Sequence, residues 1–159
     1  MTLDKISPYY HNTRLNTDNI PIHLRQRHTE SLDKIINISK ANQFAVIEAH
    51  SKVVSLYDSF NGQLVASLVQ DAVPLAMHHI PSKNCLVASC ADMTLNVWNL
   101  DDTSAKRSYK LRNKWPASHS SQMSLSWVEE HELLYSGSTM GPISAWCLKD
   151  QVSSYIFYD

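Results

Sequence analysis

One pattern recurs along this chain, and a chain built from repeats folds as a row of equivalent units rather than around one private core. CLVASCADMTLNVWNL (Cys85 to Leu100) aligns with LLYSGSTMGPISAWCL (Leu133 to Leu148). Each copy is a hydrophobic strand, a turn of small residues and a second strand ending in tryptophan, Trp98 or Trp146. A third copy, FAVIEAHSKVVSLYDS (Phe44 to Ser59), places Tyr57-Asp58 where the tryptophan would stand. Tyr57 and Trp98 are 41 residues apart and Trp98 and Trp146 are 48 apart, the surplus falling in the polar stretch DDTSAKRSYKLRNKWPASHS.

The texture between these landmarks is that of strands. From Leu32 onward, short runs rich in Val, Ile, Leu, Tyr and Trp alternate with polar clusters such as SKANQ, NGQ, PSKN and EEHE. The breaks joining FAVIEA, VVSLYD and LVASLV suit antiparallel hairpins and leave no room for crossover helices. No long window has a clean helical period. Repeats of about 40 to 45 residues with four strands each are the spacing of propeller blades. Residues 1–31 differ: Asn, Thr, His, Arg and Asp dominate, Pro8 and Pro21 interrupt, and the apolar positions keep no period. They read as a tail or linker with at most one short strand near Ile20 to Leu24.

Composition narrows the function classes. Lys and Arg number 14 against 15 Asp and Glu, a formal net charge of −1, so the chain lacks the basic field that phosphate-backbone binding needs. With three glycines, Gly62, Gly137 and Gly141, neither GxGxxG nor GxxxxGK[ST] can be written. No apolar run approaches a membrane span. The start of the chain lacks the basic and apolar regions of a signal peptide, and its cysteines, Cys85, Cys90 and Cys147, are odd in number; both features point to a reducing intracellular setting. Without a secretory signal, Asn37-Ile38-Ser39 reads as a chance match to a glycosylation acceptor.

The repeated segments resemble the WD40-repeat family over about residues 28 to 158, three consecutive blades. In the middle copy, SCADMTLNVWNL resembles the family's small residues, turn aspartate (Asp92), Thr-hydrophobic pair and third-strand Trp98, with Asn99 in place of the usual aspartate. The resemblance implies a bonded set in which a histidine ahead of the first strand reaches a Ser or Thr on the second, together with the turn aspartate and the tryptophan. His28 would open the first blade and His119 the third, with Ser136 and Trp146 completing the latter. Each copy departs from that set: Ser51 and Met140 occupy aspartate positions, and the middle copy has no histidine near Val69 to Asp71.

The expected fold is therefore all-β, a partial β-propeller of three four-stranded antiparallel WD40-type blades at 32–69, 73–111 and 122–158, with Gly62 and Gly141 in tight turns. Met77, Leu86, Val87, Leu95, Val97, Leu125, Trp127, Leu134, Ile143 and Ala145 are the core candidates. Closed propellers need at least about four blades. The chain is accordingly expected to be a fragment or short isoform of a longer propeller protein, or to close by self-association.

Several constellations could carry chemistry. Gly137-Ser138-Thr139-Met140-Gly141 approaches the nucleophile elbow GxSxG with threonine in the nucleophile slot, but no histidine follows His131 to act as base, so it reads as a hairpin turn. His78 and His79, near Cys85 and Cys90, offer metal-ligand atoms, yet neighbours on a strand point to opposite faces; one core-facing and one exposed histidine are expected. Glu129, Glu130 and Glu132 around His131 read as a solvated hairpin tip. No catalytic, cofactor or metal site is expected.

The stretch from Lys106 to Trp115 interleaves Lys106, Arg107, Lys110, Arg112 and Lys114 with Tyr109 and Trp115. It is expected on an exposed outer strand and loop, with Tyr109, Arg112 and Trp115 as candidates for binding a protein partner. Trp115-Pro116 is placed in the longest connection between blades, as a partner-binding aromatic or as a plug between blades. The resemblance implies a non-enzymatic protein-interaction scaffold in the cytoplasm, with other proteins or further blades as partners; divergent members of the family include parts of cytoskeletal and ciliary assemblies. The alternative is a ligand- or nucleic-acid-binding module using residues 106–115.

Overall fold

A computed structural model describes residues 32–101, 108–117, 120–141, 143–148 and 154–157. The expected tail, its strand near Ile20 to Leu24, and both His28 and His119 lie outside the described residues. Among the described residues, twelve strands form three four-stranded antiparallel sheets, each a simple meander. The first contains β1 (Leu32–Ile38), β2 (Gln43–Glu48), β3 (Val53–Asp58) and β4 (Leu64–Val69). The second contains β5 (Pro74–Ile80), β6 (Cys85–Cys90), β7 (Thr94–Asp101) and β8 (Ser108–Pro116). The third contains β9 (Gln122–Val128), β10 (Leu133–Ser138), β11 (Ile143–Cys147) and β12 (Ser154–Phe157). No α-helix occurs among the described residues, and none of their helical segments is long and apolar enough to cross a membrane.

The repeat extends to backbone detail. A residue in the left-handed region stands immediately before the second strand of every sheet: Asn42 (φ 50°), Asn84 (φ 47°) and Glu132 (φ 52°). The next turn of each sheet carries another, His50 (φ 62°), Met93 (φ 60°) or Gly141 (φ 105°). Only the last is glycine, which enters this region without a Cβ penalty; asparagine tolerates it better than His, Met or Glu do. The corresponding turns of the three sheets thus each contain a left-handed residue, although only Asn42 and Asn84 share a side chain.

Alternation assigns the faces. In β6, Leu86 and Ala88 belong to an apolar cluster joining the first two sheets, with Leu56, Val54 and Ile47 opposite them. Cys85 and Val87, on the other face, join Leu95, Leu134 and Trp146 in the cluster between the second and third sheets. The middle sheet is consequently apolar on both faces, and β6 is buried along its whole length. The first strands β1, β5 and β9 lie side by side, and Lys34 donates to the Leu75 carbonyl, tying β1 to β5.

Three expectations need correction. Ile143, a core candidate, is 49% exposed: it is the first residue of β11, opposite Gly137, at the end of a face on which Ala145 farther along the strand is buried. Leu125 and Trp127 are half-buried and pack at the margin of their cluster. The second sheet continues past residue 111 to Pro116, so Trp115-Pro116 belongs to β8 and not to a connection. Met77, Leu86, Val87, Leu95, Val97, Leu134 and Ala145 are buried.

Candidate functional site

Trp98 in β7 and Trp146 in β11 each donate into a buried polar set that contains a glutamine. In the third sheet, Trp146 Nε1 donates to Ser136 Oγ at 2.8 Å, and the Ser136 hydroxyl donates to Gln122 Oε1 at 2.7 Å. The Gln122 amide in turn donates to the Ser120 carbonyl at 2.8 Å. Ser89, in the second sheet, donates to the Gln122 main-chain oxygen at 2.7 Å, which fastens this set across the interface. In the second sheet, Gln70 Oε1 accepts from Asn96 Nδ2 at 2.7 Å and from Trp98 Nε1 at 3.3 Å. Gln70 and Gln122 are 3% and 5% exposed, so their amides are hydrogen-bonded in the interior as burial requires.

These glutamines were not singled out in the sequence, since a polar residue beside a turn carries no local mark of burial. Asp92 lies at the exposed β6–β7 turn, where it accepts from Thr94 Oγ1 at 2.6 Å and stands 3.6 Å from Lys114 Nζ, away from the Trp98 bond. Tyr57 is buried and stacks on Phe44, with ring centroids 5.3 Å apart. Replacing Gln122 with alanine is expected to lower stability by about 1–3 kcal/mol, because the Ser136 hydroxyl loses its acceptor in the interior. A urea melt that leaves the midpoint unchanged would refute the assignment.

Tyr109, Arg112 and Trp115 are not brought together. Strand alternation alone would align residues 109, 111, 113 and 115 on one face. A β-bulge intervenes: Trp98 pairs with Leu111 and Val97 with Asn113, leaving Arg112 as the extra residue. Tyr109 therefore faces the first sheet, where its hydroxyl and the Gln43 side-chain amide are hydrogen-bonded at 2.9 Å. Trp115 faces the third sheet, 7% exposed, stacked on Trp146 with centroids 6.0 Å apart and planes 6° from parallel. Of the three, Arg112 is the one exposed side chain.

Lys114 is engaged with Asp71 at 2.5 Å, and this pairing holds the Asp71 carboxyl below and the Lys114 ammonium above their ordinary pKa values. A hollow of about 210 Å³ is lined by Arg112, Asn113, Lys114 and Trp115. It is below the roughly 300 Å³ at which small-molecule sites begin.

The remaining candidates settle into structural places. Thr139 is exposed in the hairpin between β10 and β11. Glu129 accepts from Trp127 Nε1 at 2.5 Å and from Ser82 at 2.9 Å, and Glu132 pairs with Lys83, so the acidic tip of the third sheet grips the β5–β6 turn of the second. Cys85 and Cys90 are buried, and desolvation pushes both thiols up to about 11, where the reactive thiolate is scarce at neutral pH. No cluster of three or more metal-ligating side chains occurs among the described residues.

His79 pairs across with Leu86 and so faces the first sheet; His78 pairs with Val87 and faces the third. His79 is buried, while His78 is half-buried where exposure was expected. Burial lowers both pKa values from 6.5, and the nearby positive charge of Lys40, with that of His78 when protonated, adds to the effect at His79. The folded chain thus binds fewer protons than the unfolded one. Their contribution is intact above the unfolded pKa of about 6.5 and is lost as pH falls below it. Stability should decline from pH 7 toward pH 5, and a urea midpoint in His79→Gln should depend less on pH than that of the parent.

No protein-family model matches the chain, and no curated protein matches it.

Proposed function

We propose that this chain is a WD40-type propeller segment acting as a non-enzymatic scaffold for protein–protein interaction. The observation carrying this reading is the threefold recurrence of one unit. Three four-stranded meanders follow in sequence, their first strands adjoin, and left-handed residues recur at equivalent turns. In the second and third sheets the third-strand tryptophan donates into a buried glutamine-led set. Arrays of this construction present loops and strand edges of variable sequence on a constant frame, which suits recognition of other proteins.

The second reading, a nucleic-acid module over 106–115, is weakened by the placement of its parts. Trp115 is occupied in the core, Tyr109 in a contact between sheets and Lys114 with Asp71, which leaves Lys110 and Arg112 as exposed cations of that strand. Stacking platforms for single-stranded nucleic acid need exposed aromatics beside such cations. Heparin and single-stranded RNA affinity columns distinguish the two. The scaffold reading expects elution at low salt that is unchanged in the Lys110→Glu, Arg112→Glu double variant. Tight retention that falls steeply with salt and is abolished in that variant would favour nucleic acid.

A further inference from the structure

The first strands β1, β5 and β9 adjoin one another, which leaves β4, β8 and β12 as the outer edges of their sheets. An edge strand presents main-chain N–H and C=O groups that its own ladder does not use. Among these edges β8 is set apart by length and charge. It has nine residues, the longest of the described strands, against six in β4 and four in β12. It carries Lys110, Arg112 and Lys114 and no carboxylate, whereas β4 (LVASLV) and β12 (SYIF) have no charged residue.

Placement along β8 divides these cations. Lys114 is engaged with Asp71. Lys110 and Arg112 are exposed and form no ion pair among the described residues, and Leu111 between them is 46% exposed. Lys110 pairs with Asn99 and Leu111 with Trp98, so their side chains leave the strand on opposite faces. Arg112 is the bulged residue, and with Asn113, Lys114 and Trp115 it lines the hollow of about 210 Å³. A hollow under the small-molecule range has room for a single side chain. Lysines and a bulge also discourage strand pairing. Here the charges discriminate between strands, since a second β8 would set cation against cation while an acidic strand meets opposite charge. Exposed Leu111 adds apolar contact area to the edge, the reverse of blunting it.

We infer that β8 is a docking edge for an extended acidic segment of a partner protein, which adds to the second sheet as a further strand. The inference rests on the scaffold reading and names the chemistry of its partner. The docked segment alternates acidic, apolar and acidic residues. One carboxylate meets Lys110, the apolar side chain lies beside Leu111 on the other face, and the next carboxylate meets Arg112 at the hollow. Main-chain hydrogen bonds supply the affinity, and the two cations with Leu111 choose the sequence. RNA offers the charge without the ladder, and the aromatics on which its bases would stack, Tyr109 and Trp115, are engaged between sheets.

The test is fluorescence anisotropy of the full chain with a labelled short peptide of alternating glutamate and valine. Saturable binding is expected, weaker by about tenfold or more in the Lys110→Glu, Arg112→Glu double variant. Lys52→Glu, a charge reversal at the exposed β2–β3 turn, should leave the affinity within about twofold. The same peptide N-methylated at every residue keeps its charges and loses its main-chain donors, and it too should bind about tenfold more weakly or worse. Bound parent peptide should slow amide exchange in β8 and leave β10 unchanged. Equal binding of the methylated peptide would reduce the contact to ion pairing and overturn the inference, as would displacement of the parent peptide by single-stranded RNA at lower concentration. Absence of peptide binding would overturn the β8 edge while leaving a scaffold that works through other surfaces; steep salt-dependent retention on RNA would overturn the scaffold reading itself.

Discussion

Replacing Trp115 with alanine is expected to destabilise the chain by about 3–5 kcal/mol, the range for removing a buried large aromatic. The indole fills the contact between the second and third sheets, 7% exposed and stacked on Trp146, among Leu95, Val97 and Leu134. Its removal opens a cavity and also strips one wall from the ring whose Nε1 anchors the Ser136–Gln122 set. Chemical denaturation followed by circular dichroism measures the effect. Arg112→Ala, at the exposed bulge of the same strand, serves as the control and should shift stability by no more than about 0.5 kcal/mol. Equal stability of the two variants would contradict a core role for Trp115. A binding defect in Trp115→Ala is therefore expected to report lost folding rather than a lost partner contact.

The second large effect is expected at Leu86→Ala, about 2–5 kcal/mol. Leu86 is fully buried and lies on the face of β6 that meets the first sheet, in one cluster with Met77, Leu100 and Leu56. Leu111→Ala is the matched comparison, because Leu111 is 46% exposed in β8 of the same sheet and should cost less than about 1 kcal/mol. Two unfolding transitions in Leu86→Ala, with the first sheet melting separately, would show that this cluster couples neighbouring units, as expected for arrays whose stability is a sum of unit and interface terms. A single unshifted transition would place the coupling elsewhere.

Much of the architecture was legible before any coordinates. Runs such as FAVIEA and LVASLV alternate or stay apolar over strand lengths, and the breaks between them are too short for helices, which fixes antiparallel hairpins and an all-β class. The tryptophan spacing pointed to a repeated unit, and the structure has repeated antiparallel sheets that begin at Leu32, Pro74 and Gln122. Ile143 misled because period-two alternation says which residues share a face without saying how far along the strand that face is covered: Ala145 is buried, and Ile143, on the same face at the start of β11, is 49% exposed. The left-handed residues Glu132, His50 and Met93 were invisible for a related reason, since their conformation follows from the hairpin rather than from their own preference.

The candidate site was the least legible part. Tyr109, Arg112 and Trp115 read as one aromatic and basic stretch, whereas the strand that carries them serves two interfaces. Gln70 and Gln122 were passed over because a glutamine discloses its burial only when a tryptophan Nε1 or serine hydroxyl from another strand reaches it.

By itself the sequence determined the all-β class and the recurrence of the strand unit, since these depend on local spacing and side-chain volume. The tertiary structure decided what each face meets. A single extra residue at Arg112 turns Tyr109 toward the first sheet and Trp115 toward the third, and no local pattern encodes that, because a bulge is defined by the partner strand it is measured against.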